Sequence, residues 1–176
     1  TDPEGHDKLT RFSDGVPVSI TDGYGTASAA TTRIYYEPDL ALPSAVQDAA
    51  GNWRFMTYND RGNRTLTVDP LGRRTSATYT SMGQPLTIVD GEGVTTTYTY
   101  DANNNVSSVS TPLVGASPPV AQTVTFDYDD TAHPGDVTAV TDPRGKATEF
   151  DYDADGNRDS VTDPLGNETT TTYTHQ

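Results

Sequence analysis

Apolar and polar residues alternate in short runs along this chain. Val16, Val18 and Ile20 alternate with Pro17, Ser19 and Thr21, and Val94, Thr96, Tyr98 and Tyr100 share one side of a run whose other side is Thr95, Thr97 and Thr99. A period of two predicts half-buried β-strands. Between the runs stand Asp-x-x-Gly tetrapeptides, beginning at Asp2, Asp22, Asp48, Asp69, Asp90, Asp142 and Asp163. Asp opens a type I turn, Pro suits its second position (Pro70, Pro143, Pro164), and Gly suits a positive φ just after it. Gly5, Gly51, Gly72, Gly93, Gly145 and Gly166 take that place. Asn59-Asp60-Arg61-Gly62 has the same form without Pro, Gly83 and Gly156 are read as further turn glycines, and Asn104 stands in for Gly after Asp101.

The turns recur with a period. Ten residues after six of them lies an aromatic: Phe12, Tyr58, Tyr79, Tyr100, Tyr152 and Tyr173. Thr111 takes the Asp place in one more turn, and Tyr36 and Tyr128 follow Asp22 and Thr111 at 14 and 17 residues, which implies insertions. Two residues before a turn stand Ile20, Val46, Ile88, Val109, Val140 and Val161, with Thr67 breaking the column. The undisturbed period is 21 residues, giving about eight repeats over 1–176 and roughly 16 short antiparallel strands in one long meandering sheet. Loops interrupt it near 25–31, 112–121 (with Pro112, Pro118 and Pro119) and 131–135. A twisted open sheet that wide must coil or close. Its two terminal strands expose unpaired backbone groups, so further repeats or other copies are expected at the edges.

The motif Phe150-Asp151-Tyr152-Asp153-Ala154-Asp155-Gly156-Asn157 followed by Thr162-Asp163-Pro164-Leu165-Gly166-Asn167-Glu168-Thr169-Thr170 resembles the YD repeat of the Rhs family, and the likeness covers nearly the whole chain. The resemblance implies a β-sheet coiled into the wall of a hollow shell that encloses a toxin domain or presents a cell-surface module, secreted or at the cell surface. Rhs-like proteins can also carry a self-cleaving aspartyl segment; that segment is not found here, and no catalytic residue carries over.

Composition sharpens this. Only 32% of the 176 residues are hydrophobic, and the net charge is −14. Such a chain could be disordered, but disorder would not hold aromatics in register. Thr, the commonest residue at 30, is at home in strands. The acidic balance excludes nucleic acid as a partner, since nothing neutralises phosphates. No run is long and apolar enough to span a membrane, no Cys is present, and no signal peptide is visible. The chain begins inside a turn motif without Met, which reads as a piece of a longer array.

Candidate chemistry is sparse. Asp151, Asp153 and Asp155, with Gly156, have the spacing of the front of a calcium loop. The twelfth position, where such a loop needs Glu, is Thr162, and no helix flanks it; the other reading is that these are ordinary turn and bulge residues. His6, His133 and His175 lie far apart, and no nucleophile or zinc motif occurs, so no enzyme activity and no other cofactor is expected. Trp53 is expected to cover the apolar side of the sheet, and the tyrosines to pack between adjacent repeats. Three functions remain open: a structural scaffold of a shell or surface assembly, a self-assembling extracellular filament, and a module that binds carbohydrate or a cell surface through exposed Tyr and Trp.

Overall fold

A computed structural model describes residues 7–116 and 120–173. The turn expected at Asp2–Gly5 lies outside these residues, as do His6 and His175. The described residues form fifteen β-strands and no helix, in two compact units, Thr1–Gly93 and Val94–Gln176. The first holds β1 (Asp7–Ser13), β2 (Val16–Tyr24), β3 (Ala30–Tyr36), β4 (Pro43–Gln47), β5 (Trp53–Tyr58), β6 (Arg64–Val68), β7 (Arg74–Tyr79) and β8 (Pro85–Val89). The second holds β9 (Thr95–Tyr100), β10 (Val106–Pro112), β11 (Ala121–Asp127), β12 (Ala139–Thr141), β13 (Ala147–Tyr152), β14 (Arg158–Thr162) and β15 (Glu168–Thr170). In each unit every strand pairs antiparallel with the next in chain order. The fold is all-β, built of tandem hairpin repeats.

The turns explain the repeat length. At Asp69 the backbone N–H of Gly72 donates to the Asp69 carbonyl at 2.9 Å, and the Asp69 N–H to the Arg73 carbonyl at 3.0 Å. Asp69 Oδ1 accepts from the backbone N–H groups of Leu71 and Arg73, both at 2.9 Å. A carboxylate at the first turn position thus fixes the two residues that must bend, and Gly72 takes the left-handed conformation at φ 80°. The same bonds recur at Asp48, Asn59, Asp101, Asp142, Asp153 and Asp163. Thr80 does the same through its hydroxyl, ahead of Gly83. Asp90 accepts from the N–H of Glu92 at 3.0 Å, ahead of Gly93.

Two turns differ from the sequence expectation. Asp22 pairs with Ala30 inside β2, and the turn closes from Gly23 to Thr26. Thr111 likewise pairs with Gln122 inside β10, and the tight turn is Leu113–Ala116. Pro112, read as loop, is the last residue of β10 and lies opposite Ala121. Leu113 N–H donates to the Val120 carbonyl at 2.7 Å, so by ladder alternation the Pro112 nitrogen faces away from β11, where no donor is lost. Ser117–Pro119 lies outside the described residues.

Cross-strand partners share a side of the sheet, so register assigns the faces. The apolar column runs Ile34–Val46 and Met56–Thr67 in the first unit, and Tyr98–Val109–Val124, Phe126–Val140 and Phe150–Val161 in the second. Where Thr67 breaks the column, Met56 lies opposite it and is the one buried hydrophobic among the described residues, 8% exposed. The other apolar side chains of these pairs are half-buried. The other face is knitted by hydroxyls: Thr21–Thr31 at 2.8 Å, Thr78–Thr87 at 2.7 Å, Thr99–Ser108 at 2.7 Å and Ser110–Thr123 at 2.9 Å. Trp53 belongs to this hydroxyl face and not to the apolar one: it lies opposite Gln47, and Met56, three residues on, points the other way.

Candidate functional site

The recurrent site is the joint between repeats. The ladder slips by one residue at Phe12, Tyr36, Tyr58, Tyr79 and Tyr152. Such a bulge takes one residue of the partner strand out of regular pairing. In the first unit Tyr36, Tyr58 and Tyr79 lie opposite Pro43, Arg64 and Pro85. The hydroxyl of the next tyrosine along the chain then donates to the carbonyl at the bulge: Tyr58 to Pro43 at 2.8 Å and Tyr79 to Arg64 at 2.7 Å. Tyr36 reaches the Pro17 carbonyl at 2.8 Å, and Pro17 is the partner of Phe12.

The second unit repeats this. Tyr128 donates to Val106, the partner of Tyr100, at 3.1 Å; Tyr152 to Val137 at 2.8 Å; and Tyr173 to Arg158, the partner of Tyr152, at 3.0 Å. Donor and acceptor are 15 residues apart in four of these six bonds, and 19 and 22 in the others. The excess of four and seven equals the extra spacing of Tyr36 and Tyr128 behind their turn motifs, so each insertion is looped out and the joint is kept. Burial pushes the Tyr100, Tyr128 and Tyr152 phenols above the ordinary tyrosine range, which keeps the donating hydroxyls of Tyr128 and Tyr152 protonated.

The acidic stretch is not gathered into one point. Asp151 Oδ2 accepts from the Ser160 hydroxyl at 2.7 Å. Asp153 accepts from the backbone N–H groups of Asp155 and Asn157 and from the Asn157 side chain. These are bonds of the ordinary repeat turn, as at Asp101, where Asn105 plays the part of Asn157. Among the described residues no group of three or more His, Cys, Asp or Glu side chains is placed to hold a metal ion. Asp159 Oδ1 is buried without a hydrogen-bond partner.

The loop from 128 to 138 carries the described histidine. His133 Nδ1 lies 2.9 Å from Asp130 Oδ2. A Cβ on Gly156 would come within 3.3 Å of the His133 ring, so the loop packs on the Asp153–Gly156 turn. Asn105 Nδ2 donates to the Pro134 carbonyl at 2.7 Å. One loop therefore holds the turns of the hairpins before and after it. The Asp130 hydrogen bond raises the His133 pKa against desolvation, with the Asp130, Asp136 and Asp153 charges adding to it. The sequence marked this loop only as a lengthened turn; its contacts join residues 29 and 23 positions apart, which no local pattern encodes. The carbonyls of Pro43, Arg64, Val137 and Arg158 were missed for the same reason, although their 15-residue spacing to Tyr is present in the chain.

Among the described residues no helix is long and apolar enough to cross a membrane. In sequence, the family model described as RHS Repeat matches residues 58–95, 79–113 and 135–168, together just over half of the chain. No curated protein matches it. Among solved structures the chain is similar to the crystal structure of TcdB2-TccC3-Cdc42, at 17% identity and TM-score 0.66 over 85% of this chain and 9% of that one. It is also similar to TcdB2-TccC3 without its hypervariable C-terminal region, at 18% identity and TM-score 0.66 over 85% and 8%. A third is the Photorhabdus luminescens Tc holotoxin pore with a TccC3 mutation, at 18% identity and TM-score 0.68 over 89% and 9%. At these identities the likeness shows the fold, and the chain spans less than a tenth of the length of these three chains.

Proposed function

The chain belongs to the RHS repeat family, and from that premise we propose that this structural repeat scaffold is a stretch of wall that encloses, carries or displays another domain of a secreted or surface-borne protein. The observation that carries the reading is the tyrosine joint. Within each unit successive repeats are tied by a tyrosine hydroxyl spent on a carbonyl of the repeat before, so the most regular side chain of the array serves the joint between repeats. Strands β1 and β15 each pair on one side only among the described residues, so more wall can be added by backbone pairing at both. The function is mechanical and non-enzymatic, and the family likeness supports a toxin domain as the enclosed element.

Electron microscopy of the full-length protein containing this array tests it. Closed hollow particles that protect an enclosed segment from added protease are expected. Continuous fibres would overturn the reading in favour of a filament subunit joined through its edges. Small solid particles with every segment open to protease would overturn it in favour of a display or binding module.

A further inference from the structure

The hydroxyl face of the first unit carries a row that the repeat does not require. Register aligns Arg11, Ser19, Arg33, Gln47 and Trp53 across β1 to β5 on one side of the sheet. The row spans about 19 Å at ordinary strand spacing. Beside it a second line places Tyr35, Ala45 and Phe55 on the same face. The rings cluster: Trp53 and Phe55 stack with centroids 5.7 Å apart and planes 7° from parallel, and Tyr35 lies 5.5 Å from Trp53. Tyr35 and Phe55 are nonetheless 47% and 48% exposed.

Arg11 and Arg33 line a shallow depression of ≈ 500 Å³ with Leu9, Ser19, Thr21 and Thr31. Among the described residues neither guanidinium has a carboxylate partner; Arg33 donates only to Gln47 Oε1, at 3.4 Å. In a chain of net charge −14 with eleven Lys and Arg, two unpaired arginines facing one hollow are a local reversal of sign.

We propose that this row binds an acidic oligosaccharide. Guanidinium groups take carboxylate or sulfate oxygens in bidentate hydrogen bonds. Ser19 and Gln47 offer neutral partners for sugar hydroxyls, and the Trp53–Phe55–Tyr35 cluster offers apolar ring surface to the C–H face of a pyranose. A peptide is the poorer fit. Strands β2 to β5 are paired on both sides, so strand addition is open only at the outer edge of β1, away from Trp53, and the depression lacks an apolar trough for alternating side chains. The proposal is independent of the scaffold reading, since a wall can carry such a row or lack it.

Calorimetric titration of the whole chain with oligogalacturonate and with a chondroitin sulfate oligosaccharide tests this, with a neutral galacto-oligosaccharide and polyglutamate as comparators. Saturable binding to at least one acidic sugar is expected, stronger than to either comparator. Arg33→Gln and Trp53→Ala should each weaken it at least tenfold. Arg33 is exposed, so Arg33→Gln should leave the melting temperature unchanged and decides the matter even where Trp53→Ala loosens the fold. No saturable binding to either sugar, polyglutamate binding equally well, or Arg33→Gln binding like the parent would each overturn the proposal.

Discussion

At the scale of the residue, the tyrosine hydroxyl separates a packing role from a bonding role. Register alone suggested packing between repeats, and Phe12, which has no hydroxyl, occupies the same column. The structure adds a hydrogen bond to a carbonyl beside the bulge, on the residue that lies opposite the preceding tyrosine. Tyr58→Phe keeps the ring and removes the bond to Pro43. A single hydrogen bond of this kind contributes about 1 kcal/mol net, and for a chain of this size that lowers the melting temperature by about 3 °C. Circular dichroism melting of Tyr58→Phe beside the parent reads this directly. An unchanged melting temperature would leave the ring's packing as the whole of its role.

At the scale of the element, legibility depended on whether a contact was local. The turns at Asp48, Asp69, Asp142 and Asp163 close within five residues, so Asp, Pro and Gly in sequence state the bonds that form. The Asp22 and Thr111 motifs look alike but lie inside β2 and β10, because the longer insertions that follow let pairing run past them before the chain turns. Trp53 went to the hydroxyl face because its parity is set by pairing with β4, and a lone large aromatic does not announce its side. The same limit hid the row from Arg11 to Trp53, whose members come from five strands.

The loop from 128 to 138 is the least legible element and has a consequence that can be measured. His133 faces Asp130 and Asp136 on its own loop and Asp153 on the adjoining turn, with Tyr152 near Asp136 and Asp130. Its pKa is raised above 6.5 in the folded chain. The stabilisation is fully present below the unfolded value and is lost as pH rises through the folded one. Amide hydrogen exchange across the loop should therefore quicken above pH 6.5 beyond the intrinsic base-catalysed rise. The excess should vanish in His133→Ala. An excess that survives the substitution would assign the effect to another group.

At the scale of the whole molecule, the 21-residue period is a claim about which deletions the fold accepts. Removing residues 48–68 takes out β5 and β6 and joins Gln47 to Asp69. The Asp69 turn then follows β4 as the Asp48 turn did, and Tyr79 arrives at the Pro43 carbonyl in place of Tyr58. Strand direction, face and joint are all conserved, and what is lost is one repeat with Met56. Such a chain should still unfold cooperatively, with a reduced enthalpy, because in a repeat array stability is close to a sum over repeats and their interfaces. Removing residues 48–58 alone takes out one strand. β4 and β6 run parallel in the parent, and this deletion forces them antiparallel, reversing every later strand against the earlier ones and leaving Pro43 without a tyrosine. That chain should lose its cooperative transition in calorimetry. If both deletions melt alike, the joint between repeats does not specify the register, and the period reflects turn chemistry alone.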